Sequence, residues 1–287
     1  MILSDIKEKL ANGNIKEDEY NEVILALTNL KRLAVACNNQ AEAKEIWVFE
    51  QITKIRTQYL KTFELLKSGS YYDAWCLLER IEIDIKCLKR HYWNSTGEYR
   101  LNFIEKAVYA FQTIYPYRFF FSSVILREEK KCSICNGIID VNAPCGHKVG
   151  EIYNGEDCMR IITKPKLLGV DIVENPVHKS CVMFHVGDDG TQKDLYNYTA
   201  IEYLMKLINS PYETWDLEVQ YQFIPHTQFS EYSKEDRCPC GSLQNYKDCC
   251  LKEAGVKTLS FEFIVKHPSD KKILTRTMKT PKANEGK

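Results

Sequence analysis

Charge of one sign is missing from this chain. Its 287 residues carry 39 Lys and Arg against 39 Asp and Glu, a formal net charge of zero, so the global attraction to phosphate backbones that marks many nucleic-acid binders is absent. Any such contact must come from a local patch. A long apolar run is missing as well. The most apolar stretch, 108–126, is broken by Gln112, Pro116 and Arg118, whereas a bilayer span needs roughly 20 largely uninterrupted apolar residues. The stretch is expected to be a buried aromatic segment, and no membrane partner is expected. Residues 1–20 mix Asp, Glu and Lys throughout and lack the basic-then-apolar order of a secretion signal, which gives the expectation of a cytoplasmic chain.

Signatures of catalysis are also lacking. There is no nucleophile elbow, no phosphate-cradling glycine loop, no H-E-x-x-H helix and no deaminase-type His-x-Glu with Pro-Cys-x-x-Cys. His178, His185, Asp188 and Asp189 fall near one another, but a strand histidine and an acidic turn account for them more simply than a hydrolytic centre. His91, beside Tyr92 and Trp93, reads as packing at a helix end. No catalytic residue is assigned and a non-enzymatic role is expected.

What the chain has in quantity is cysteine, 12 in all. In a reducing compartment thiols stay free, so metal ligation explains them better than a disulfide scaffold. Their distribution agrees. Cys132, Cys135, Cys145 and Cys158 fall in one stretch, with His147 among them, and Cys238, Cys240, Cys249 and Cys250 in another. Cys37, Cys76, Cys87 and Cys181 stand apart and are expected to be small apolar fillers.

A hydrophobic fraction of 44% and a charged fraction of 27% are those of an ordinary folded protein, and the length suits two or three small units. Residues 4–115 follow a helical pattern. Ile52, Ile55, Tyr59, Phe63 and Leu66 recur at steps of three and four, then Gly69 offers a C-cap, and Trp75, Leu78, Ile81, Ile85 and Leu88 form the stripe of a second helix. With 20–36 and 101–115 flanking this hairpin, a bundle of about four helices is predicted. Beyond Pro116 the pattern predicts strands at 167–173, 179–186 and 215–224, a turn at 187–190, a helix at 198–208, and a terminal hairpin of 259–265 with 272–278. The expected fold class is α+β: a helical bundle over 1–121, a zinc-stabilised module with a small sheet and one helix over 122–230, and a C-terminal zinc element with a basic tail over 231–287.

The C-terminal cluster reads Cys-Pro-Cys-Gly-Ser-Leu-Gln-Asn-Tyr-Lys-Asp-Cys-Cys over 238–250, a C-x-C-x8-C-C spacing that can wrap four thiolates around one structural zinc. The spacing, the Gly-Ser after Cys240 and the Tyr-Lys before Cys249 resemble the SEC-C motif of the protein-translocation ATPase family. Leu243 and Gln244 replace the family's usual Gly-Lys and leave every ligand in place. The resemblance implies that Cys238, Cys240, Cys249 and Cys250 bind zinc in an interaction module that, in the ATPase, contacts a chaperone and the ribosome.

The first cluster opens with Cys132-x-x-Cys135-Asn136-Gly137, which resembles a zinc knuckle. A closed structural zinc takes four ligands and five candidates are present. The favoured set is Cys132, Cys135, Cys145 and His147; the alternative replaces Cys145 or His147 by Cys158. About two zinc ions per chain are therefore expected. The leading functional expectation is a non-enzymatic adaptor that docks on a protein complex, chaperone or ribosome. Next comes a nucleic-acid-binding protein using Lys252, Lys257, Lys266, Lys271, Lys272, Arg276, Lys279 and Lys282. An accessory component of bacterial stress or antiphage defence is the third.

Overall fold

The helical half of the chain is built by the stripes that the sequence shows. The computed structural model describes residues 1–12, 15, 17–92, 97–140, 142, 144–242, 244–266 and 271–277. Trp93, Lys279, Lys282 and the expected end of the terminal strand lie outside the described residues. Helices α1 (Leu3–Ala11), α2 (Glu17–Ala36), α3 (Gln40–Ser68), α4 (Tyr71–Leu88) and α5 (Leu101–Ile114) precede the first strand. Ile52, Ile55, Tyr59 and Phe63 of α3 are buried, as are Trp75, Leu78, Ile81, Ile85 and Leu88 of α4, the outcome of a one-sided apolar repeat. Gly69 ends α3 at φ +83°, a conformation that side chains disfavour, and the Ser70 N–H closes the last turn on Leu65 O at 2.9 Å.

Six α-helices and small antiparallel sheets make the architecture of the described residues α+β. By Cα proximity the chain forms two units. One comprises Met1–Glu64, Tyr72–Val108 and Arg118–Met183; the other comprises Leu65–Tyr71, Tyr109–Tyr117 and Phe184–Lys287.

In the first unit β1 (Phe120–Cys132), β2 (Ile152–Tyr153), β3 (Glu156–Asp157) and β4 (Arg160–Val173) follow the helices. β1 and β4 pair antiparallel as a two-stranded ribbon, from Phe120 opposite Val173 to Cys132 opposite Arg160, while β2 and β3 form a tight hairpin between them. Several expectations are corrected here. The buried aromatic segment stops at Phe120, because Phe121, Val124, Ile125 and Leu126 are exposed on β1. The strand at 167–173 is only the second half of β4. No single strand spans 179–186: the backbone groups of Lys179 and Ser180 are taken by side chains of α4, and beyond them Val182 makes only an isolated antiparallel bridge to Phe120. The Lys179 and Ser180 N–H groups donate to the Glu79 carboxylate at 2.5 and 2.9 Å, Trp75 Nε1 donates to Lys179 O at 2.6 Å, and Tyr72 OH donates to Ser180 O at 2.8 Å.

The second unit contains β5 (His185–Val186), β6 (Gln192–Lys193), α6 (Thr199–Leu207), β7 (Trp215–Ile224), β8 (Val256–Lys266) and β9 (Lys271–Thr277). β5 and β6 close on the expected turn, where Asp189 Oδ1 accepts the Thr191 N–H and hydroxyl at 3.0 and 2.6 Å. That carboxylate is thus spent on an Asx-type turn. β7, β8 and β9 form one antiparallel sheet in that order. β7 pairs with β8 along its length, from Trp215 opposite Val265 to Ile224 opposite Val256, so it shares a sheet with the C-terminal hairpin. Of the four separate cysteines, Cys76 and Cys87 are half-buried, whereas Cys37 and Cys181 are exposed and are not packing fillers.

Candidate metal centres

The first centre sits where β1 ends. Cys132 is the last residue of β1 and is buried. Immediately after it the chain folds back: the Asn136 N–H donates to Cys132 O, the Cys132 N–H donates to Gly137 O, both at 2.9 Å, and Ile139 N–H returns to Lys130 O at 2.8 Å. Asn136 takes the left-handed turn position at φ +58°, which asparagine tolerates better than most residues. This turn aims the N–H groups of Cys135 and Ile134 at Cys132 Sγ, and those bonds hold its thiol down to about 6.

A second arm brings Cys145 and His147. The His147 ring lies edge-on to Tyr153 at 4.7 Å, and the neighbouring Lys148 N–H donates to Tyr153 OH at 3.1 Å. The donor atoms of Cys132, Cys135, Cys145 and His147 all lie within 4.8 Å of one another. Nδ1 of His147 is buried with no hydrogen-bond partner among the described residues, a costly condition for a polar atom that has no other role. The fifth candidate, Cys158, is also buried. It falls outside that four-atom group, but its Sγ is 3.8 Å from Cys132 Sγ. Burial, reinforced by Cys132, pushes its thiol up to about 11.

Three contacts tie this centre to the helices, and the sequence signalled none of them. Asn154, between β2 and β3, is clamped by Gln40 of α3, which accepts its N–H at 2.9 Å and donates to its Oδ1 at 2.5 Å. Lys31 of α2 bridges Glu50 and Glu156 at 2.8 Å each. His91 Nε2 lies 2.7 Å from Gly150 O.

The second centre occupies the connection between β7 and β8. Its lower wall is a small core of Ile224, Phe229, Tyr246 and Val256, in which Cys238 and Cys250 are themselves buried. Arg237 bridges Asn245, and the Cys238 N–H donates to Gln244 O at 2.7 Å, so the Cys-x-Cys arm and the returning Cys-Cys arm lie side by side. The four sulfurs lie within 4.8 Å of one another, with Cys240 and Cys249 at 3.6 Å and Cys249 and Cys250 at 3.9 Å. Four sulfurs each about 2.3 Å from one ion stand about 3.8 Å apart at the corners of a tetrahedron. The donor set therefore fits a structural zinc.

Four thiols this close cannot all ionise against one another. Burial holds Cys238 and Cys250 up. Burial also opposes ionisation of Cys240, yet hydrogen bonds from Ser242 and its neighbouring thiols bring it down to about 7. Around the sulfurs a strut keeps the loop in place. His226 lies 2.9 Å from Glu253 O through Nε2 and 2.6 Å from Tyr246 OH through Nδ1. A carbonyl can only accept, so Nε2 carries a proton and donates to Glu253 O. At the exit, a Cβ on Gly255 would lie 2.5 Å from Ile224 O, so only glycine lets β8 approach β7 there.

Comparison with known proteins finds the SEC-C motif at residues 236–252, a segment that contains all four cysteines of the second centre. No curated protein and no solved structure matches the chain. Two cysteine-rich clusters can thus hold metal ions, one of them within a zinc-binding motif. No helix among the described residues is long and apolar enough to cross a membrane.

Proposed function

We propose that this chain is a zinc-bound, non-enzymatic adaptor carrying two structural zinc ions. One is held by Cys132, Cys135, Cys145 and His147, the other by Cys238, Cys240, Cys249 and Cys250. The observation that carries the reading is the presence of two separate four-donor sets, each with its ligand atoms within 4.8 Å. The unpartnered Nδ1 of His147 supports His147 over Cys158 as the fourth ligand of the first centre. Bound zinc supplies a four-coordinate clamp with no open position. The chain's own residues do the rest: the knuckle after β1 turns the backbone, and the Tyr246–His226 strut fixes the second loop.

The working division is a helical bundle over 1–121, a zinc module over 122–230 and a SEC-C element with a basic tail over 231–287. In this reading the helical part and the SEC-C element supply docking surfaces for a larger assembly such as a ribosome or chaperone, the support being the motif's use as an interaction module. Elemental analysis of the purified protein tests the metal claim. About two zinc ions per chain are expected, and zinc-free protein with every thiol freely titratable would overturn it. Co-sedimentation with ribosomes and chaperone complexes tests the docking claim. Equal recovery of the parent and of Cys249→Ser/Cys250→Ser would remove the SEC-C element from it.

A further inference from the structure

The β1–β4 ribbon leaves one edge without a partner. On β1 the outer edge is covered at both ends. The Phe121 N–H donates to Cys181 O at 2.7 Å and Phe120 bridges Val182 at one end, while Lys131 bridges Ile138 at the other. β4 has β1 on one side only, and no backbone hydrogen bond reaches its other side among the described residues. Its side chains there are apolar and open to solvent: Leu167 is 62% exposed, Leu168 58%, Val170 55% and Ile172 59%. A two-stranded ribbon is marginal in water, and an exposed edge of this kind is a template for another strand.

The sequence of that edge complements itself. Lys166-Leu-Leu-Gly-Val-Asp171, laid antiparallel against a second copy, puts Lys166 opposite the other copy's Asp171 at both ends. It also puts Leu167 opposite Val170. Neither Lys166 nor Asp171 forms an ion pair within the described chain. The faces match as well, for a reason specific to this strand. Residues opposite one another in an antiparallel pair must point to the same side of the sheet, and five-residue spacing would put Lys166 and Asp171 on opposite sides of a regular strand. Leu168, however, is an extra residue opposite the Val124/Ile125 step. This bulge brings Leu167 and Val170 to one face and Lys166 and Asp171 to the other.

We infer that the free edge of β4 pairs two-fold with the β4 edge of a second copy of this chain, through residues 166–171, giving a four-stranded β1-β4-β4-β1 sheet. Pro165 has no N–H to give and ends the paired segment. Two-fold pairing uses the same β4 edge of each copy, so the interface is isologous and closes at a dimer. This inference does not rest on zinc content, which serves as the control for folding.

Sedimentation equilibrium on the full chain tests it, over a concentration series from low to high micromolar. A reversible monomer–dimer equilibrium is expected. Asp171→Lys sets lysines opposite each other at both ends, and Lys166→Asp sets aspartates there, so each is expected to weaken the dimer at least about tenfold. The combined exchange restores the pairs and is expected to recover the parent dimer to within about threefold. Because both positions are exposed charges on the edge, zinc per chain and far-ultraviolet dichroism should match the parent. Val170→Lys, which buries a charge against Leu167, gives a second disruptive variant. A monomer at every concentration, a dimer indifferent to the single reversals, or a combined exchange that stays monomeric would each overturn the proposal.

Discussion

Replacing Cys250 by serine removes one donor from the second centre at one of its two buried cysteines. Cys250 Sγ lies 3.9 Å from Cys249 Sγ, accepts the Lys257 N–H at 3.5 Å, and packs in the core of Ile224, Phe229, Tyr246 and Val256. Structural zinc contributes about 10 to 16 kcal/mol of apparent binding free energy through four ligands. One thiolate therefore accounts for roughly 2.5 to 4 kcal/mol, or about 10²- to 10³-fold in zinc retention. Among the described residues, 225–255 carry no secondary structure beyond short 3-10 turns, so apart from a small core and the His226 strut the four ligands are what hold the loop. The expected outcome of Cys250→Ser is one zinc lost to a competing chelator at concentrations that leave the other in place. Amide exchange should speed up at Cys238 and Tyr246, whose N–H groups bond Gln244 O and Asp236 O, while α3 and α4 keep their protection. Unchanged retention, or exchange that rises equally along the helices, would refute the reasoning.

At the first centre, His147→Ala is expected to speed zinc loss to a chelator while Cys158→Ser leaves stoichiometry unchanged; zinc lost only in Cys158→Ser would transfer the ligand role. Gly255→Ala, with its Cβ 2.5 Å from Ile224 O, should lower stability by about 1 to 3 kcal/mol, read as a fall in melting temperature of the zinc-loaded protein. Zinc binding at pH 8 should release at least about two protons from the second centre. Burial holds Cys238 and Cys250 above the ordinary thiol value of 9.0, so both are protonated there and must lose their protons to ligate. Affinity should therefore climb with pH. Titration calorimetry in buffers of different ionisation enthalpy counts those protons.

How much of this could be read from the sequence depends on the range of the forces involved. The stripes of α3 and α4 and the alternation of β7 are local periodicities, and they appear at the expected places. So do the two cysteine sets, because ligand spacing is a short-range constraint. All of β1 and the first half of β4 were missed because their side chains are largely exposed on both faces and carry no alternation, and because Pro165 and the Arg-Glu-Glu-Lys-Lys run of β1 carry no strand signal. The strand at 179–186 failed for the opposite reason. Its alternation is present, but Glu79, Trp75 and Tyr72, about a hundred residues earlier, take the backbone groups of Lys179 and Ser180, which leaves only a single bridge from Val182 to Phe120. The nearness of Cys158 to Cys132 agrees with their shared cluster in the sequence, whereas the His226–Tyr246 strut has no signal at short range, since it arises only when distant turns meet.

The position of the second centre also bears on how the protein folds. β7 and β8 are neighbours in the sheet but are separated by the roughly thirty residues of 225–255. Closing so long a loop costs about 2 kcal/mol more entropy than closing a tight hairpin of about four residues, near a twentyfold difference in encounter rate. A metal that gathers this segment first brings Ile224 and Val256 together before any strand pairing is made. The three-stranded sheet would then refold in two regimes, fast when free zinc exceeds the chain concentration and slow when it does not, with the rate saturating once the loop is fully charged. In such a protein metal supply sets the tempo of sheet assembly as well as its final stability.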